Sequence, residues 1–237
     1  MKKPHMSKAK AEIPEMTRAI GQGRSRQLLQ RLAFMPSTVA TTLLIAALLA
    51  PVGAAAQAPI PVDPKEFDVV ATQKAAQTGD ARKMGELGAA MLFGVGLPKD
   101  EAGGIQWLEK AAAKGDAQGT MALGMAKLQG QGTPRDETGG ASLIRKVAER
   151  GNAQACTLFG QLNLKGIGVP QNDAEGFKWV IRAAYQGNAE GQFLTGLLLA
   201  TGQGTKPDLK AGKEWLSKAA AQGHAGATEV LKKLDKS

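Results

Sequence analysis

Glycine recurs in this chain at one fixed interval: Gly79, Gly115, Gly151, Gly187 and Gly223 stand 36 residues apart. The same interval relates Gly88 to Gly124, Gly160 and Gly196. It also relates Gly94, Gly130, Gly166 and Gly202, and Gly96, Gly132, Gly168 and Gly204. Asp100, Asp136, Asn172 and Asp208 keep the register, as do the small pairs Ala111-Ala112, Val147-Ala148, Ala183-Ala184 and Ala219-Ala220. Trp107, Trp179 and Trp215 share one column, which Leu143 fills in the remaining copy. A period of this length means a solenoid, propeller or array, in which each unit buries its apolar face against its neighbours. Strand-built blades need alternating β-branched runs, which this chain lacks, so the unit is helical.

The caps divide each unit into two helices. Asp80, Asp116, Asn152 and Asn188 follow the period glycine and can accept from the unpaired N–H groups of a helix start. The pattern predicts a first helix over 81–93 and its equivalents. The Gly-x-Gly pair then turns the chain, and Pro98, Pro134 and Pro170 keep it extended, with Pro207 shifted by one. Asp100 and its equivalents cap a second helix, expected over 101–114, which Gly115 ends in a left-handed conformation that a Cβ disfavours. Four repeats result (79–114, 115–150, 151–186 and 187–222), with half-repeats 64–78 and 223–237 closing the ends. The count is about ten helices in one α-solenoid. Gly88, Gly124, Gly160 and Gly196 fall inside the first helices, where each costs about 1 kcal/mol relative to alanine. A cost repeated at one column predicts close approach of two helix backbones there.

These residues resemble a family. Leu87-Gly88-x-x-Met91-x-x-Gly94-x-Gly96, then Asp100, Trp107 and Lys110-Ala111-Ala112-x-x-Gly115, are similar to the Sel-one-like repeat (SLR), a relative of the tetratricopeptide repeat. The resemblance covers roughly 64–234. It implies a right-handed α-solenoid of antiparallel helix pairs used as a scaffold for protein complexes, in bacterial envelopes among other places. The family's usual tyrosine position holds Met91, Lys127, Asn163 and Leu199, so the groove differs chemically from the consensus. A cysteine-rich branch of the family carries a disulfide in each repeat, and the single Cys156 cannot reproduce it.

Residues 1–56 read as a secretory signal peptide. Residues 39–50 (VATTLLIAALLA) carry no charge, follow a basic stretch and precede Gly53-Ala54-Ala55-Ala56, which predicts cleavage after Ala56. Twelve helical residues cover about 18 Å, short of the roughly 30 Å hydrocarbon core. The reading is therefore no stable membrane span after cleavage, with an uncleaved anchor facing the periplasm as the alternative. A translation start at Met16 would shorten the long basic region. Residues 57–63 read as a linker, and the expected location is periplasmic or secreted. The charge follows this division. Residues 1–56 hold eight Lys/Arg and two acids, whereas 57–237 hold 22 and 19, so the folded part gives little support to nucleic-acid binding.

Chemistry is sparse in the remainder. His224 is the single histidine after the leader and stands at a cap column. One histidine without cysteine partners cannot build a zinc site, and no cofactor or metal is expected. Ser142, Ser217 and Ser237 lie in no serine-acylase motif. The Gly-x-Gly turns follow helices and lack a third glycine, so they are turns and not phosphate loops. Cys156 reads as a buried small residue. The expectation is a non-catalytic protein-binding scaffold of the bacterial cell envelope, with Met91, Lys127, Asn163 and Leu199 ordered along its groove. Phe177 and Tyr185 break their columns, lie eight apart and form a candidate anchor patch. The alternatives are a cell-wall glycan binder or hydrolase, which buried Trp107, Trp179 and Trp215 would count against, and a secreted factor binding a host protein. Self-association also remains open.

Overall fold

A computed structural model describes residues 67–235, which all belong to one of the chain's two compact units, Leu49–Lys236. The leader and linker lie outside the described residues. Ten helices follow one another without a strand among the described residues. They are α1 (Val69–Gln77), α2 (Ala81–Phe93), α3 (Glu101–Ala113), α4 (Ala117–Gln129) and α5 (Glu137–Glu149). Then come α6 (Ala153–Lys165), α7 (Asp173–Tyr185), α8 (Ala189–Thr201), α9 (Leu209–Ala221) and α10 (Ala225–Leu234). None is long and apolar enough to cross a membrane.

Helices α2 to α9 are each 13 residues long because the same capping chemistry starts and stops them. Asp80 Oδ1 accepts from the Lys83 N–H at 3.0 Å, and Asp100 Oδ1 accepts from the Gly103 N–H at 2.9 Å. First helices end on Gly94, Gly130, Gly166 and Gly202 in the left-handed region. Second helices stop one residue earlier than 101–114 predicts, since Lys114 is itself the cap and Gly115 (φ +82°) follows it. The helix of the N-terminal half-repeat, expected within 64–78, begins at Val69, and residues 64–66 lie outside the described residues. Pro64 occupies the column of Asp100 but has no side-chain acceptor, and Asp68 supplies the cap instead, accepting from the Ala71 N–H at 2.9 Å.

Within each repeat the two helices meet glycine to glycine. A Cβ on Gly88 would lie 2.8 Å from the Gly104 carbonyl oxygen, and one on Gly104 would lie 2.8 Å from that of Gly88. Gly124 and Gly140, Gly160 and Gly176, and Gly196 and Gly212 repeat this reciprocal contact. The expected backbone approach is therefore present, and its partner is a second glycine column. Around it Leu108, Ile144, Val180 and Leu216 are fully buried. Each such side chain contributes about 1.5–3 kcal/mol on removal from water.

Successive repeats join through the first helices. Each second helix packs on the next first helix, and first helices also touch one another (α2 with α4, α6 with α8). Polar links cross the same joints. The Arg150 guanidinium donates to the Gly115 carbonyl at 3.2 Å, Gln222 Nε2 donates to that of Gly187 at 3.0 Å, and the Thr157 hydroxyl donates to Asn188 Oδ1 at 3.1 Å. At the C-terminal end Lys232 stands in the mid-helix glycine column and is exposed, so α10 offers no close seat to a further second helix. Lys213 holds α10 in place, donating to Asp235 Oδ1 at 2.9 Å.

Two stability measurements check this packing. In Gly160→Ala the added Cβ would lie 2.5 Å from Val180 Cγ2 and 3.0 Å from the Gly176 carbonyl oxygen. Urea unfolding should show a loss of about 2–3 kcal/mol. Gly187→Ala meets nothing within 4 Å but forces alanine to φ +84°, and should lose about 1–2 kcal/mol. Thr195 supplies the opposite sign. It is fully buried in the column of Leu87, Leu123 and Phe159, and its hydroxyl oxygen has no hydrogen-bond partner. Thr195→Val should stabilise the fold by about 1 kcal/mol, read as a higher urea midpoint at unchanged slope.

Candidate functional site

The column of Met91, Lys127, Asn163 and Leu199 lies at the corner between the first and second helix of each repeat. In every copy its backbone carbonyl accepts from the N–H of the second helix's N-cap residue: Asp100 to Met91 at 2.9 Å, Asp136 to Lys127 at 2.8 Å, Asn172 to Asn163 at 2.9 Å and Asp208 to Leu199 at 2.8 Å. Two of the side chains, Met91 and Lys127, lean on that cap. Met91 Cε would be 2.6 Å from a Cβ on Gly103, and Lys127 Nζ is 3.5 Å from Asp136 Oδ2. Met91, Lys127 and Leu199 are half-buried and retain an exposed remainder. Asn163 is 5% exposed, and its amide donates to the Phe159 carbonyl at 2.8 Å within its own helix. The column is thus ordered along the array, with Asn163 turned inward.

Phe177 and Tyr185 do not form one exposed patch. Phe177 is half-buried in the column of buried Ile105 and Ala141, whereas Tyr185 is 74% exposed. Eight residues rotate a helix by about 80° beyond two full turns, enough to place one ring inward and the other outward. The Tyr185 ring stands edge-on to Trp215 with centroids 5.2 Å apart, which fixes its direction.

The tryptophans are half-buried and roofed by cations. Lys110 lies over Trp107 at 4.2 Å, Lys218 over Trp215 at 4.1 Å and Arg182 over Trp179 at 5.4 Å. The Trp179 indole N–H donates to Glu175 Oε1 at 2.9 Å, and its ring packs edge-on to Phe159, centroids 5.3 Å apart. This i, i+3 pairing of tryptophan with a cation was present in the sequence as a spacing. It means that each of these half-buried indoles carries a cation of its own chain over one face.

The remaining titratable groups sit in structural roles. Cys156 is fully buried, its thiol donates to the Ala148 carbonyl at 3.4 Å, and burial pushes its pKa up. His224 caps α10: its Nδ1 accepts from the Ala227 N–H at 3.2 Å, so its Nε2–H faces Glu190 Oε2 at 2.8 Å. Its ring stacks on Phe193 with centroids 4.4 Å apart. The bond from the Gly139 N–H and then the Lys127 ammonium hold the Asp136 carboxyl below its ordinary value. The Lys99 ammonium does the same for Glu101, with help from the Gly132 N–H of the next repeat.

Antiparallel helix pairs recurring every 36 residues, joined by backbone contact within the pair and by first helices between pairs, define an α-solenoid of two-helix repeats. The Sel1 repeat family model matches residues 83–116, 117–152, 153–188 and 189–224, more than half of the chain. The chain belongs to the Sel1 repeat family. Among solved structures it is similar to a protective antigen of uropathogenic Escherichia coli strains that displays an SLR fold. The identity is 31%, the TM-score 0.65, and the match covers 68% of this chain and 35% of that one. It is also similar to a Sel1 repeat protein from Oxalobacter formigenes, at 27% identity and a TM-score of 0.64, covering 69% of this chain and 66% of that one. The chain thus spans about a third of the length of the first relative and two thirds of the second. Comparison with curated proteins gives no match. Sel1 repeat proteins generally mediate protein–protein interaction, and the family is typically a non-catalytic interaction scaffold.

The lowered Asp136 pKa fixes a pH dependence. A depressed carboxyl contributes stability that is fully present above its unfolded value, about 3.9, and is lost as pH falls through its folded value. The urea midpoint should fall between about pH 5 and pH 2. Asp136→Asn, which keeps a capping side chain as Asn172 does, should flatten that fall.

Proposed function

We propose that this chain is a non-catalytic scaffold that binds another protein in the bacterial cell envelope, to which its leader exports it. The carrying observation is a division of labour among its columns. Buried columns repeat nearly unchanged, as in Gly88, Gly124, Gly160 and Gly196 or in Leu108, Ile144, Val180 and Leu216. Some solvent-facing columns vary, as in Ala113, Glu149, Tyr185 and Ala221, while another keeps a cation throughout, as in Lys110, Lys146, Arg182 and Lys218, so the repeats combine local and shared contact chemistry on a common frame. Family membership supports the interaction role, and the basic leader with its apolar stretch supports export. The exposed parts of Met91, Lys127 and Leu199, with Asn163 shaping the wall between them, and separately the exposed Tyr185 are the proposed contact residues, whereas Phe177 is half-buried. A glycan reader would want free aromatic faces, and the three indoles here are half-buried beneath cations.

Affinity capture from an envelope extract of the source organism, followed by mass spectrometry, tests the proposal. A stoichiometric protein partner should be retained and should weaken at least about tenfold with Tyr185→Ala, the loss typical of an anchor residue. Retention on cell-wall glycan with no protein partner would overturn the scaffold reading. N-terminal sequencing of the exported protein should begin at Gln57; material beginning at Met1 or Met16 would mean an uncleaved anchor.

A further inference from the structure

The second helices carry one exposed cation per repeat at a single register: Lys74, Lys110, Lys146, Arg182 and Lys218. None of the five makes an ion pair or donates a side-chain hydrogen bond within the described residues. Three are held in direction by the indole beneath them. Exposed Lys114 and Arg150, one turn further on, widen the row. Four carboxylates share this outer face, Glu109, Glu149, Glu175 and Glu214. Two of them are already engaged, Glu149 with Arg145 at 2.7 Å and Glu175 with Lys178 at 3.3 Å. Seven cations against four carboxylates on this face account for a net charge of +3, the same as the excess of residues 57–237 as a whole.

We propose that this outer face docks an extended acidic segment of the protein partner, a proposal that rests on the interaction reading above. A row of single cations repeated helix after helix matches a chain of carboxylates in the same way. Desolvating such a row against an apolar or basic partner would leave the cations unpaired, so complementarity selects an acidic one. The exposed Tyr185 stands one turn beyond Arg182 within the row. Its ring is braced edge-on by Trp215, so it loses little freedom on contact and supplies the apolar anchor that a purely electrostatic surface lacks.

Labelled poly-L-glutamate, titrated with the full-length protein over a range of sodium chloride concentrations, reads the proposal directly. The variant Lys110→Gln/Lys146→Gln/Arg182→Gln should bind about tenfold more weakly near physiological salt, with a shallower salt dependence. The variant Lys99→Gln/Arg135→Gln/Lys206→Gln removes the same charge at the opposite ends of the second helices and should change binding less than about twofold. Equal circular dichroism and urea midpoints establish that both variants are folded. Equal losses in both variants, or wild-type binding by the first, would overturn the proposal. So would binding to phosphatidylglycerol vesicles without binding to poly-L-glutamate, which would assign the face to a membrane. A captured partner that binds the first variant as tightly as wild type would sink the docking face while leaving protein binding intact. Absence of any captured partner would sink the interaction reading itself.

Discussion

The contact on which this architecture depends is made of two missing side chains. Gly88 faces Gly104, and the same pairing recurs three times, so the backbones of each helix pair meet where any Cβ would strike a carbonyl oxygen. Close approach leaves little volume to fill, which is why alanine, leucine and glycine build most of the interior and aromatics are only 4% of the chain. It also sets how the first helices are buried. Each is enclosed by its own second helix, the preceding second helix and, in places, a neighbouring first helix. Helix α8 is accordingly buried from Gly191 through Leu198 without interruption, and its sequence shows almost no polar stripe.

A second backbone contact explains a variability that looks at first like functional choice. Met91, Lys127, Asn163 and Leu199 differ in size, charge and polarity, yet each lends the same carbonyl to the N-cap residue of the following helix. A joint made by the main chain does not depend on the side chain attached to it. The column is therefore free to vary, and its variation alone is no guide to a partner. Position in the groove must be argued from what remains exposed, which removes Asn163 from direct contact and leaves the other three with part of their surface.

Much of this was legible in the sequence because caps, turns and the period are local. The first-helix span 81–93 follows from Asp80 and Gly94, and the structure reproduces it. The mid-helix glycines implied a close backbone, but their partners did not stand out. Gly104, Gly140, Gly176 and Gly212 keep the same 36-residue interval and were readable only by asking what Gly88 could touch. The start of α1 was obscured by a cap moved one turn from its column, at Asp68. Phe177 and Tyr185 were misjoined by spacing, because a half-buried column and an exposed one lie side by side on α7. The charge distribution was hidden in a different way: summing over a repeat cancels groups that the fold sends to different sides.

That sorting of charge follows from the helices themselves. The N-terminus of a helix favours carboxylates and the C-terminus favours cations, through the dipole and the unpaired backbone groups at each end. The second helices obey this at both ends. Asp100, Glu101, Asp136, Glu137, Asp173 and Asp208 cluster at their starts, and Lys74, Lys110, Lys146, Arg182 and Lys218 occupy their last turns. In a single helix the preference is worth a few tenths of a kcal/mol to about 1 kcal/mol and makes no surface. Stacked in register, the same preference becomes a row, because every copy repeats the choice at the same height. The dipole does not by itself demand a cation, since α2 and α8 end without one. A cation in all five second-type helices therefore exceeds what the dipole requires, and complementarity to an acidic partner is a use for it.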